Sequence, residues 1–273
     1  MMNKNKTPET LKLFNESVHH SIKLKKYFQI YDELFTSYKN KKITFVEVGV
    51  LDGGSLQIWK KFFGAESRII GIDLNPECKK FECDEYEIFI GSQSENKFWD
   101  NFYEKVGPID LLLDDGGHTN EQQLTTLIKS VPNINNNGLI VVEDTHCSYK
   151  KNYGNPSNYS FISFAKKIID DVNYAYPEIG SFEYSLNKYI SSTHFYESLV
   201  AFKIDKNLCY KNELIENSGK ISNNLNVMDG LDIIAFRNKY NFLFKFRIIQ
   251  KIDRIFIRFK NKINSFKLKK YFK

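Results

Sequence analysis

The sequence is poor in the features that would fix a protein's class at once. It holds only 4 cysteines, Cys78, Cys83, Cys147 and Cys209, in 273 residues. None makes the close Cys-x-x-Cys pair that a zinc site favours, and a chain this long does not need disulfide staples, so the thiols are expected to be reduced. No run approaches the roughly 18 apolar residues of a membrane-spanning helix, and the polar residues 1–10 lack the apolar core of a signal peptide. A cytoplasmic protein is therefore expected. Internal repeats and low-complexity linkers are lacking as well, which leaves no sign of a solenoid or an array.

What is present is an ordinary globular composition, 42% hydrophobic, 15% aromatic and 26% charged. It suffices for one substantial core with terminal decoration. The abundance of Lys, Asn, Ile, Phe and Tyr reads as the codon bias of an AT-rich genome. The net charge of +6 is unevenly spread: from Arg237 onward there are 13 Lys or Arg against 1 Asp, leaving 26 against 32 before it. The body is thus acidic and the tail basic, and an acidic body argues against a nucleic-acid partner.

Leu11, Phe14, Val18, Ile22, Phe28, Tyr31, Leu34 and Phe35 recur at helical spacing, so residues 1–40 are expected to form a helical cap. From residue 41 the pattern changes to short aliphatic runs separated by helical stretches, the alternation of βα units. Strands are expected at 43–48, 68–72, 86–90, 109–113 and 139–142. Helices are expected at 55–63, 95–105, 119–131 and 159–171, with Ser55 and Thr119 as caps. Residues 194–204 and 231–237 read as two further strands. The expected fold is α/β, a Rossmann-like seven-stranded, mostly parallel sheet with helices on both faces over residues 41–237, its last pair antiparallel. Residues 238–273 read as a basic amphipathic helical tail.

Open α/β sheets bind ligands at the carboxyl ends of their strands. After the first strand comes Glu47-Val-Gly49-Val-Leu-Asp52-Gly53-Gly54-Ser55, a glycine-rich turn that lets a ligand approach the backbone at a helix N-terminus. Its spacing departs from the dinucleotide fingerprint G-x-G-x-x-G. After the second strand, Asp73 either accepts the hydroxyls of a ribose or opens a turn with Asn75 and Pro76. After the third, Gly91-Ser92-Gln93-Ser94 either holds an adenine edge or caps a helix. The fourth and fifth strands end in Asp114-Asp115-Gly116-Gly117-His118 and Glu143-Asp144-Thr145-His146. Adjacent strands would bring Asp115, Glu143 and Asp144 together with little else to neutralise them, which calls for a hard cation such as Mg²⁺, Mn²⁺ or Ca²⁺. Consecutive strand residues face opposite ways, so Glu143 and Asp144 both ligate only if the chain has left the strand there. His118, three positions after Asp115, is a candidate general base, or else a loop histidine bonded for structure.

These motifs, E-V-G-V-x-D-G-G-S, I-I-G-I-D, G-S-Q-S, D-D-G-G-H, G-L-I-V-V-E-D-T and H-F-Y, resemble the class I S-adenosylmethionine-dependent methyltransferases. They are most similar to the metal-dependent sugar O-methyltransferases of the macrocin and mycinamicin type; the cephalosporin hydroxylase-like group is related. The resemblance implies that Glu47, Gly49, Gly53, Gly54, Ser55 and Asp73 hold S-adenosylmethionine, with Ser92 and Gln93 beside the adenine and Asp114 toward the methionine end. It implies that Asp115, Glu143 and Asp144 bind Mg²⁺ or Mn²⁺ and that Asp115 and His118 serve catalysis, His118 as base. Gly117 stands where the family often has Ser. The expected acceptor is a sugar, nucleotide-sugar or glycan hydroxyl, in a capsule-type surface polysaccharide by the AT-rich origin. A homo-oligomer, and peripheral membrane contact through the tail, are further expectations.

Overall fold

The computed structural model describes residues 7–153, 159–173, 184–209, 215, 217–219 and 239–272. The chain divides into two compact units, Met1–Glu213 and Leu214–Lys273. In the first, helices α1 (Glu9–Asn15) and α2 (Tyr27–Phe35) precede β1 (Thr44–Val48), α3 (Gly54–Phe63), β2 (Arg68–Asp73), β3 (Tyr86–Ile90) and α4 (Asn96–Val106). Then come β4 (Ile109–Asp114), α5 (Asn120–Ser130), β5 (Ile134–Val142), α6 (Phe161–Val172), β6 (Ile190–Tyr196) and β7 (Leu199–Ile204). The sheet runs β3-β2-β1-β4-β5-β7-β6, with β1 to β5 parallel and β7 antiparallel to both neighbours. This is a Rossmann-like, mostly parallel α/β architecture.

Strand periodicity assigns each face its layer. Phe45, Ile69, Leu111, Leu113, Leu139 and Val141 pack with α2 and α3, whereas Val46, Val48, Ile70, Ile72, Leu112, Ile140 and Val142 pack with α4, α5 and α6. Helix α2 buries Tyr27, Tyr31 and Phe35, and Tyr31 and Phe35 meet Trp59 of α3 edge-on at 5.1 and 5.6 Å. Each such buried side chain contributes on the order of 1.5–3 kcal/mol, so this layer is fixed by packing and not by helix propensity.

Three expectations need correction. The run 194–204 is a hairpin: Tyr196 pairs with Leu199 across Glu197-Ser198, and Ser198 takes φ +64 with neither Gly nor Pro to mark the turn. The sheet therefore reaches seven strands without 231–237, which lie outside the described residues. Ser55 is not a cap; Gly53, at φ +79, holds that position, while Ser55 sits inside α3. The fifth strand begins at Ile134, which pairs with Ile109, and a register shift separates that pair from the apolar ladder that starts at Leu139. Thr119 does cap α5, in a reciprocal capping box with Gln122.

In the second unit, helix α7 (Arg247–Leu268) carries exposed Ile248, Ile252, Ile255, Phe256, Phe259, Ile263 and Phe266 among seven Lys or Arg and one Asp. Among the described residues no helix is long and apolar enough to cross a membrane. The four cysteines are free thiols.

Candidate active site

Each parallel strand hands its ladder on by one residue. Gly49 N–H donates to Ile72 O, Gly91 N–H to Asp73 O, Asp115 N–H to Val48 O and Glu143 N–H to Asp114 O, at 2.8–2.9 Å. The residues that follow the strands are thereby aligned along one carboxyl edge. Beside them, where the strand order reverses between β1 and β4, lies a cavity of about 450 Å³, within the usual range for small-ligand sites. Gly49, Asp73, Ser92, Gln93, Asp115, His118 and Asp144 line it, together with Ile22 and Leu51.

Asp73 holds the wall of the cavity: Oδ2 accepts from the N–H groups of Val50 and Leu51 at 2.8 and 3.2 Å, and Oδ1 accepts from Asn75 N–H at 2.8 Å. It makes the turn with Asn75 and still faces the cavity. Gly49, at φ +98, has no room for a side chain, since a Cβ would stand 2.1 Å from Asp115 O. Gly54 is small for a different reason. A Cβ there would meet His19 O at 2.4 Å, so it accommodates the segment before α2 and does not touch the cavity. Gln93 is buried and ties three elements together, donating to Asp114 Oδ1 (2.9 Å) and Thr126 Oγ1 (3.0 Å) and accepting from Gly117 N–H (2.9 Å). Ser92 and Ser94 bond to each other, and neither caps α4.

Glu47, Gly53, Gly54, Ser55, Asp114 and Glu143 stand behind the lining. Asp114 faces α4 and α5, where burial pushes its pKa above the ordinary carboxylate range. Glu47, Asp115 and Glu143 share the opposite face, the one covered by α2. The expectation of a carboxylate cluster with little to neutralise it is corrected here, because Lys23 lies among them. Its Nζ donates to Asp115 Oδ2 at 2.6 Å, Glu47 Oε1 at 3.1 Å and Glu143 Oε1 at 3.5 Å, with the side chain 2% exposed. Burial pulls the Lys23 pKa down, but Asp115, Glu143 and Glu47 outweigh it and hold it well above the usual value. Burial first, then repulsion from Asp115, pushes Glu143 well up. Burial likewise raises Glu47, whose Oε2 accepts from Ser55 Oγ at 2.6 Å.

Two tyrosines one turn apart on α2 complete the edge. Tyr31 donates its hydroxyl to Glu143 Oε1, and Tyr27 donates to Asp144 Oδ1 at 2.7 Å. Strand β5 ends at Val142, and Asp144 turns at φ +53, so the two carboxylates are freed from strand alternation. His118, also left-handed at φ +58, presents Nε2 3.4 Å from Asp144 Oδ2 and 3.9 Å from Asp115 Oδ1, while its Nδ1 is buried with no bonded partner. Left-handed non-glycine residues cost about 1–3 kcal/mol each, and Leu51, His118 and Asp144 concentrate that strain at the cavity. Asp115, His118 and Asp144 each offer one ligand atom within 4.8 Å of the others. The donor set suits a hard divalent ion, since oxygens dominate and the buried carboxylates outnumber the one ammonium. Lys23, Tyr27 and Tyr31 fall within the expected helical cap and were given no role at the site, because they precede the motifs; the one signal was a pair of phenols at i and i+4 on the buried face of a helix.

No protein-family model matches the chain. The chain is similar to 8-demethyl-8-alpha-L-rhamnosyl tetracenomycin-C 2'-O-methyltransferase of Streptomyces olivaceus, 28% identical over 186 residues, 63% of this chain and 48% of the relative. It is similar to mycinamicin VI 2''-O-methyltransferase of Micromonospora griseorubida, 33% identical over 133 residues, 45% of this chain and 32% of the relative. Demethylmacrocin O-methyltransferase of Streptomyces fradiae is 28% identical over 53% of this chain and 39% of its own length. The chain thus spans half or less of the curated relatives it matches. Among solved structures, MycE methyltransferase of the mycinamycin biosynthetic pathway, in complex with Mg, SAH and mycinamycin VI, superposes with a TM-score of 0.66 at 24% identity, over 73% of this chain and 54% of that one. The fold is that of a class I methyltransferase, and the sequence relatives are sugar O-methyltransferases.

Proposed function

We propose that the chain is an S-adenosylmethionine-dependent O-methyltransferase acting on a sugar hydroxyl, with Mg²⁺ or Mn²⁺ held by Asp115, Glu143 and Asp144. The observation that carries this reading is Asp115, Asp144 and His118 brought within 4.8 Å of one another at a cavity that Asp73 also lines, with Glu143 standing behind them. In this reading Asp73 binds the ribose hydroxyls, Gly49 lets the methionine portion lie against the backbone, and Ser92 and Gln93 flank the adenine. A sugar hydroxyl is a weak nucleophile, while the sulfonium methyl is already activated, so the protein's task is deprotonation and in-line alignment. When bound, the divalent ion supplies Lewis acidity that lowers the pKa of a coordinated hydroxyl. His118 Nε2 takes the hydroxyl proton as the oxygen forms its bond to the methyl carbon; the C–S bond breaks and S-adenosylhomocysteine leaves.

The relatives' printed substrates are glycosides, and that supports a sugar bearing neighbouring hydroxyls as acceptor. A surface-polysaccharide heptose or hexose is the narrower form of the proposal, carried by composition alone. Transfer of labelled methyl from S-adenosylmethionine to a panel of rhamnosyl glycosides, nucleotide sugars and catechols tests it. Sugar methylation abolished by EDTA is the expected result; activity on catechols alone replaces the acceptor class. Absence of any thermal stabilisation by S-adenosylmethionine with Mg²⁺ would favour a binding protein that keeps only the fold. For α7 we propose contact with an anionic bilayer surface, supported by its exposed apolar residues set among cationic ones.

A further inference from the structure

Lys23 lies on the connection between α1 and α2, residues 16–26, which is neither helix nor strand. That connection is fastened at its start, where Ser17 Oγ donates to Gly54 O at 3.1 Å and to Gln57 Oε1 at 3.1 Å. Its apolar Val18 and Ile22 remain exposed. Lys23 turns inward, to the point where Glu47, Asp115 and Glu143 converge from β1, β4 and β5. Three carboxylates around one ammonium, Glu47 and Glu143 buried and Asp115 partly so, have the makings of a cation site whose occupant is tethered to the chain. Two of those carboxylates, Asp115 and Glu143, are the groups through which a divalent ion would be held. A divalent ion and an ammonium bonded to the same two carboxylates repel each other in a medium of low dielectric.

We propose that Lys23 is an intramolecular counter-cation of the metal-free protein, occupying Asp115 and Glu143 and withdrawn when the divalent ion binds. The inference rests on the metal reading above. It gives the segment 16–26 a function: the carboxylates of the metal-free site are partly neutralised, and loading of the ion is coupled to release of the segment that carries Ile22 over the cofactor cavity. Lys23 then sets metal affinity without being a ligand and without touching the reacting atoms.

The test is isothermal titration of Mn²⁺ into the full chain, without S-adenosylmethionine, for the natural protein, Lys23→Met and Asp115→Asn. The expected result is measurable binding to the natural protein, at least tenfold tighter binding to Lys23→Met and lost binding to Asp115→Asn. Binding to the natural protein with unchanged or weaker affinity in Lys23→Met overturns the competition and leaves the metal reading standing. Failure of both the natural protein and Lys23→Met to bind overturns both. Should Lys23→Met not fold, tryptic cleavage of the natural protein after Lys23, followed by mass spectrometry, decides. Cleavage faster with Mn²⁺ than with EDTA is expected, and equal or slower cleavage overturns the proposal.

Discussion

Replacing Gln93 with Ala removes one side chain that serves three polar groups, and the cost follows from the burial of two of them, Asp114 and Thr126. Gly117 N–H and Thr126 Oγ1 lose their bonds to it, and Asp114 Oδ1 keeps only Gly116 N–H at 3.2 Å. A buried polar group left unpaired costs about 1–3 kcal/mol, and neighbouring losses are not additive, so a total of about 2–5 kcal/mol is expected. Urea denaturation followed by circular dichroism reads this as a lower midpoint at unchanged slope. Because Gly117 precedes His118, cofactor affinity and turnover should fall as well. Gln93→Glu gives a signed counterpart, since it sets a second carboxyl against Asp114, whose pKa burial already raises. Both folded pKa values then lie above their unfolded ones, so the folded state binds more protons and the stability deficit of Gln93→Glu grows as pH rises from about 4 toward neutrality. A destabilisation under about 1 kcal/mol for Gln93→Ala, or a deficit of Gln93→Glu that shrinks as pH rises, would remove Gln93 as the tie between the third and fourth strand ends.

His118→Ala should lower turnover by about 10²–10⁴ with little change in S-adenosylmethionine affinity, since general-base removal is worth that much; undiminished turnover rejects its role. Gly54→Ala should destabilise the fold or dislodge residues 19–20, read as faster proteolysis there, because a Cβ has only 2.4 Å to His19 O. Burial, then Asp73, pushes the Cys78 thiol up to about 11. At pH 8 only about 1 in 1,000 of the Cys78 thiols is therefore ionised, and iodoacetamide should label the exposed Cys83 far sooner. Deletion of residues 239–273 should abolish co-sedimentation with anionic liposomes, and unchanged binding excludes that role for α7.

The five parallel strands were legible because each is a short apolar run punctuated by Gly, Asp or Asn, and buried parallel strands leave that trace. The hairpin of β6 and β7 was not, because Glu197 and Ser198 form its turn without the residues that usually signal one. At the site, Asp73, Asp115, His118 and Asp144 could be located because strand-end residues line the edge of this kind of sheet. The partition between residues that face the cavity and those that stand behind it, such as Glu47, Ser55 and Asp114, depends on strand register and needed three dimensions. Lys23, Tyr27 and Tyr31 were read as part of an amphipathic cap. Their polar tips act at the edge of a sheet whose strands come from 20 to 120 positions away, a relation that local periodicity does not encode.

A crystal of the chain grown with S-adenosylhomocysteine and Mn²⁺, measured at the manganese absorption edge, bears on the whole account. Anomalous density about 2.1–2.2 Å from oxygens of Asp115, Glu143 and Asp144, with the sulfur of the product in the adjoining cavity, is the expected result. A cavity holding the product with no manganese at those carboxylates, or manganese bound elsewhere on the chain, would contradict it.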